Sequence, residues 1–218
     1  MTQFETEIAA IKNEVINMWR LVRSQLMKAY EALITNNKDL AHEVMAMEKR
    51  VNALELKIDR DCENIFALHC PVAIDLRFLL AVLKINNNLE RIGDIADGIA
   101  RYIADMPEEF NADTLKEIGL LKMYDEAISI FADSETAFEF ENTLLARTIF
   151  SRDEEVLDRI NRMAEGKITD YIRNHPEKIH EALYIFSIIH KLERVGDQCK
   201  NIAEEIIFYF EAKVLKHQ

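Results

Sequence analysis

Only 5 glycines and 3 prolines interrupt the 218 residues. So few breakers exclude a loop-rich or strand-and-turn architecture. They favour long helices, the state that abundant Leu, Ile, Ala, Glu and Lys also prefer. Positive charge is short as well: 27 Lys and Arg stand against 39 Asp and Glu, a formal charge of −12. That balance argues against nucleic acid, because phosphate contacts need a basic surface, and it admits cationic partners, metal ions included. Any role in gene control would run through another protein. The longest apolar run, Phe78 to Leu83, is far shorter than the roughly 20 residues that span a bilayer, and no secretory signal is recognised. The three cysteines, Cys62, Cys70 and Cys199, are odd in number and match no zinc spacing. The expectation is a reduced, cytoplasmic setting in which they act as buried small hydrophobes. No nucleophile elbow, phosphate-binding glycine loop or dinucleotide fingerprint occurs, so no enzyme class is indicated.

What the chain does have is helical periodicity and a repeat. Apolar residues recur at helical intervals from Phe4 to Ile34 (Ile8, Ile11, Val15, Trp19, Val22, Leu26), which predicts one long amphipathic helix with Trp19 in its packed stripe. A second helix is expected from Lys38 to His69, stopped by Pro71, and a third from Val72 to Asp105, before Pro107. The plan then recurs: a fourth helix from Thr114 to Thr148, a fifth with Ser151 as N-cap running to Arg173, and a sixth from Glu177 to Lys213. Ile103 to Asn111 links the halves. The predicted fold is all-α, two tandem three-helix bundles over 1–106 and 107–218.

The clearest internal repeat is Leu89-Glu90-Arg91-Ile92-Gly93-Asp94 against Leu192-Glu193-Arg194-Val195-Gly196-Asp197, 103 residues apart. Each copy places two carboxylates four residues apart on one helical face, where they repel, and embeds them in apolar sequence. Asp97 extends the first face, Asn201 and Glu205 the second, and His190 shares the second face. On the middle helices Glu48 and Asn52 align with Glu154 and Asp158 at an offset of 106 residues. If middle and last helices pack antiparallel, oxygen ligands from both would face one another, the way carboxylate-bridged metal sites are built in bundles. Iron, zinc, manganese, magnesium and calcium all suit such donors. A glycine inside a helix costs about 1 kcal/mol against alanine. Gly93 and Gly196, each beside an acidic pair, therefore imply close helix approach or room for ligands. The alternative is a solvated acidic face with ion pairs to Arg91, Arg194, Lys49 or Arg50.

These residues resemble the PhoU family of bacterial phosphate-uptake accessory proteins. Pro71-Val72-Ala73-Ile74-Asp75-Leu76-Arg77 matches its proline motif, and the two Glu-Arg-X-Gly-Asp copies match its acidic motifs; with the six-helix layout the likeness covers nearly the whole chain. The resemblance implies a cytoplasmic, often dimeric protein without established catalytic activity. It implies multinuclear metal binding, iron or zinc foremost, through Glu48, Asn52, Glu90, Asp94 and Asp97 in the first repeat and Glu154, Asp158, Glu193, Asp197 and Asn201 in the second. It also implies contact with a phosphate ABC transporter's ATPase and a sensor histidine kinase, repressing the starvation response when phosphate is plentiful, with the membrane reached only through those partners. This chain departs from the family pattern at Asn52, where the pattern has Asp, and at Gly98, where the second repeat has Asn201. The second site is therefore expected to be the better one. An accessory role for a symporter-type phosphate transporter and a metal-free scaffold are the alternatives. A di-iron oxidoreductase is disfavoured, since its paired Glu-X-X-His motifs do not occur on two helices.

Overall fold

The computed structural model describes residues 2–212; Lys213, the expected end of the last helix, lies outside them. α1 (Gln3–Thr35) opens on a reciprocal cap, in which the Glu5 backbone N–H donates to Thr2 Oγ1 (3.2 Å) and the Thr2 N–H to Glu5 Oε2 (2.8 Å). Asn36, in the left-handed region, ends it, and Asn37 caps α2 (Lys38–His69) by accepting from the Leu40 N–H. Cys70 and Pro71 turn the chain into α3 (Ala73–Asp105). These three helices match the sequence expectation to within two residues at each end. Arg77 on α3 donates to the Tyr209 carbonyl in the last helix, and Asp75 sits in the first turn of α3, where negative charge suits the helix dipole.

The second half differs from expectation in its breaks. Gly119, with φ of 98°, separates α4 (Ala112–Ile118) from α5 (Leu120–Glu139). The next break is at Phe140 to Asn142, well before Ser151. Glu141 adopts φ of 58° and Asn142 accepts from the Leu145 N–H, so α6 (Thr143–Arg152) starts there. Asn is as good a cap as Ser, and Ser151 lies inside the helix, its hydroxyl donating to the Thr148 carbonyl. α6 continues without a break through a π-helical segment (Asp153–Asp158) into α7 (Arg159–Asn174). A 3₁₀ turn (Pro176–Lys178) leads into α8 (Ile179–Glu211). No strand occurs among the described residues.

α1, α2 and α3 pack as one antiparallel unit; α5, the α6–α7 rod and α8 form the other. α3 lies along α8 and α1 along α5, so one continuous apolar core spans both units. Trp19, fully buried, packs on Phe131 and Phe138 across that junction. The linker is tied down on both sides: the Phe110 N–H donates to Asn36 Oδ1 (2.7 Å), and Glu181 accepts from the Asn111 N–H (2.6 Å) and from Tyr171. Cys62 and Cys199 are buried as expected. Cys70 is exposed, a correction that follows from its place in the turn after α2, where its backbone is left-handed and no helix covers it. No described helix is long and apolar enough to cross a membrane.

Candidate metal centre

Two acidic seams run along the antiparallel helix pairs. In the first, α2 presents Glu48, Asn52, Glu55 and Asp59 at spacings of three and four, the periodicity of one helical face. α3 answers in the opposite direction with Asn86, Glu90, Asp94 and Asp97. Buried Asn86 pins one end, its amide donating to Asp59 Oδ1 (2.8 Å) and to the Glu55 carbonyl (3.0 Å). Farther along, burial first and then the charges of Asp94 and Glu55 push the Glu90 carboxyl up. At Glu48 burial, followed by the charge of Asp94, raises the carboxyl to about 7, although a long hydrogen bond from Gln25 (3.5 Å) opposes the shift. Burial, then Asp59 and Asp94, raises Glu55 as well. Each of these groups holds its charge at a cost because its neighbours are also negative.

Three buried oxygens of this seam have no hydrogen-bond partner, Glu48 Oε1, Gln25 Oε1 and Asn86 Oδ1. Gln25 is fully buried and faces Gly93: a methyl group there would stand 3.2 Å from its Oε1, 3.2 Å from Val51 Cγ1 and 3.6 Å from Glu48 Oε2. Gly93 thus lets α3 approach α1 and α2 closely. Among the described residues no lysine or arginine forms an ion pair with Glu48, Glu55, Glu90 or Asp94. Asp97 is buried and committed to Arg101 one turn on (2.7 and 3.3 Å). Asn52 is exposed.

The second seam follows the same plan with a different outcome. The π segment adds one residue to a turn, which rotates everything before it by about 100°. In the first repeat the residues against the glycine are Glu48 and Val51, three apart. In the second they are Asp153 and Leu157, four apart. A methyl group at Gly196 would collide with Asp153 Oδ1 and stand 2.8 Å from Leu157 Cδ2. Asp153, fully buried, therefore takes the place that Glu48 has in the first seam, while Glu154 points to solvent. Asp158, Glu193 and Asp197 are half-buried around it and Asn201 is exposed. Burial, then Asp197, Asp158 and Asp153, pushes the Glu193 carboxyl up. Burial also raises Asp153, against the pull of Lys200.

Lys200 sits inside this seam. Its Nζ lies 2.6 Å from Asp153 Oδ2 and 2.8 Å from Asp197 Oδ1. Burial by itself would depress the ammonium, but the two carboxylates hold it well above the usual lysine range. Glu205, farther along α8, is buried and paired with Lys84 of α3 (2.9 Å). His190 is exposed, with its ring edge-on to Phe186. Glu55, Asp59 and Lys200 continue the helical spacing of the motifs and were visible in that spacing. Gln25, on a different helix, and Asp153, displaced by the π turn, carry no such signal.

Among the described residues no three His, Cys, Asp or Glu side chains converge on one point as a closed ligand shell. The acids form open ladders instead. In the first ladder the donors fit a hard cation: oxygen ligands only, net negative, with the buried Glu48 Oε1 lacking a partner. In the second, an ammonium already stands between two of the carboxylates.

An all-α protein of two three-helix units, each with an acidic seam against a helix-interior glycine, defines a narrow class. The PhoU domain model matches twice, over residues 15–103 and 120–206, and the chain belongs to the PhoU family. It is 32% identical over 214 residues to the phosphate-specific transport system accessory protein PhoU homolog 1 of Thermotoga maritima, covering 98% of this chain and 91% of that protein. It is 33% identical to the corresponding homolog of Aquifex aeolicus, over 97% and 95% of the two chains. The crystal structure of the phosphate transport system regulatory protein PhoU from Streptococcus pneumoniae superposes with a TM-score of 0.88 at 25% identity, covering 98% of this chain and all of that one.

Proposed function

We propose that this chain is the accessory protein of a phosphate-uptake system and restrains the phosphate-starvation response when phosphate is abundant. The observation that carries this reading is the double match to the PhoU domain together with near full-length similarity to proteins named as phosphate transport accessories. The working parts are two three-helix units, 1–106 and 107–218. Their helical surfaces dock in the cytoplasm on a phosphate ABC transporter's ATPase and a sensor histidine kinase, and the chain acts as a homodimer. No reaction is assigned to it. Deleting the gene should leave a phosphate-starvation reporter switched on in phosphate-rich medium. A reporter that still shuts off normally would sink the regulatory role.

Metal binding is the second element of the proposal. Glu48, Glu90 and Asp94, with Asp97 and Asn52 at the margin, would hold iron, zinc or another multivalent cation, which supplies positive charge where carboxylates crowd. Glu193, Asp197 and Asp158, with Glu154 and Asn201 at the exposed edge, are their counterparts. Protein purified without chelator should carry metal by elemental analysis, and Glu90→Ala with Asp94→Ala should lose it. Unchanged metal content in that double variant would remove the first seam from the ligand set. The open ladders, without a convergent trio of acids, favour a metal-free scaffold as the second reading.

A further inference from the structure

We propose that Lys200 is a built-in counter-ion that takes the place of a metal in the second seam, so that the repeats divide: the first seam binds multivalent cations and the second is neutralised from within. The premise about the first seam rests on the metal reading above; the statement about Lys200 does not.

The two ion pairs of Lys200 join the π segment to α8, and both carboxylates are close enough to be direct partners. One of them, Asp153, is fully buried and wedged against Gly196. A metal entering here would have to displace an ammonium held by two charged bonds and tethered to the same helix as Asp197. A tethered ligand competes at an effective concentration that a free ion reaches only at about millimolar levels.

The repeat itself sharpens the point. Counting back 103 residues from Lys200 gives Asp97, so the same helical position is cationic in one seam and anionic in the other. In the first seam the cationic groups engage only its Asp97 end. Arg101 is paired with Asp97, and Lys191 reaches from α8 to Gly98 and the Tyr102 ring (5.4 Å) at the end of the ladder. Gln25 Oε1 and Glu48 Oε1 stay without a partner there, and among the described residues no ammonium lies within ion-pairing distance of Glu48, Glu90 or Asp94. In the second seam Asp153 Oδ1 is also unpartnered, but the other oxygen of that carboxylate meets Lys200. The order of the two sites is therefore the reverse of what motif completeness alone suggests.

The test is a Mn²⁺ titration of the full chain stripped of metal, with bound ions counted by EPR and located by paramagnetic broadening of backbone amides. In the unmutated chain, amides flanking Asp94 should broaden at substoichiometric Mn²⁺ while those flanking Asp197 stay sharp. Lys200→Met should raise the bound Mn²⁺ per chain roughly twofold, because a second set of oxygen ligands is released, and Lys200→Arg should leave it unchanged. Equal broadening at both seams of the unmutated chain overturns the proposal without any variant. So does a Lys200→Met chain, folded by circular dichroism, that binds no more Mn²⁺ than the parent. Mn²⁺ binding to Lys200→Met but not to the parent would uphold the counter-ion and defeat the metal reading of the first seam. Binding to neither would defeat both.

Discussion

Along α2 and α3, carboxylates face one another with the amides of Asn86 and Gln25 among them and Arg101 paired with Asp97 at one end. Along the π segment and α8 the same plan has a lysine in its middle. Both seams grow from one repeated motif and both set an acid against a helix-interior glycine. Among their differences are Asp97 against Lys200, Asn86 against Ile189 and one extra residue in a turn. The lesson is that a duplicated charge cluster need not do duplicate work. Crowded acids require a counter-charge, and whether it is tethered or comes from solution decides whether the site can respond to its surroundings.

The comparison can be broken first at the glycines. Gly196→Ala should cost about 2–3 kcal/mol, because the added methyl collides with a buried, ion-paired Asp153 that has little room to move. In thermal unfolding that is a drop of about 4–12 °C for a chain of this size. At Gly93 the nearest atoms are 3.2 Å away and need to give by only a few tenths of an ångström. The roughly 1 kcal/mol gained in helix propensity offsets the crowding, so Gly93→Ala should stay close to the parent. Equal shifts for the two variants would mean that the seams are packed alike after all.

A smaller effect is expected at Asn86, whose counterpart 103 residues on is the fully buried Ile189. Asn86→Ala removes the amide that holds Asp59 and the Glu55 carbonyl. It should cost about 1–2 kcal/mol in denaturant unfolding, and added divalent cation should recover part of the loss if the first seam binds it.

The smallest effect is a pH slope. The Glu48 carboxyl sits at about 7 in the fold, above its range in an unfolded chain. The stability this group contributes is therefore present in acid and lost as pH rises through about 7. Metal-free protein should melt higher at pH 5.5 than at pH 8 on this account. Glu48→Gln should flatten that slope and raise the midpoint at pH 8, by about 1 kcal/mol or less since the side chain is partly solvated. A variant with the parent's slope would show that Glu48 is already neutralised by another route.

Much of this was legible in the residues. Apolar spacing and Pro71 placed the first three helices, and the Glu-Arg-X-Gly-Asp repeat announced two units, because periodicity and breakers act locally. The two glycines announced close helix approach for the same reason: a penalty of about 1 kcal/mol inside a helix points to a packing cause. The second half was less readable. Asn142 and Ser151 are equally good caps on paper. The choice fell to Asn142, where Glu141 takes a left-handed turn and lets the α6–α7 rod reach its full length against α5 and α8.

Fold class, repeat and acidic character are thus set by local chemistry: residue spacing, helix preference and the signs of charges along one face. Which acid is buried, and what neutralises it, was decided only when helices met. The π turn that exchanges Glu154 for Asp153 leaves no mark in the order of residues. The pairing of Lys200 with Asp153 joins side chains brought together by packing of the π segment against α8. Electrostatic partnership depends on distance through space, and only tertiary packing sets that distance.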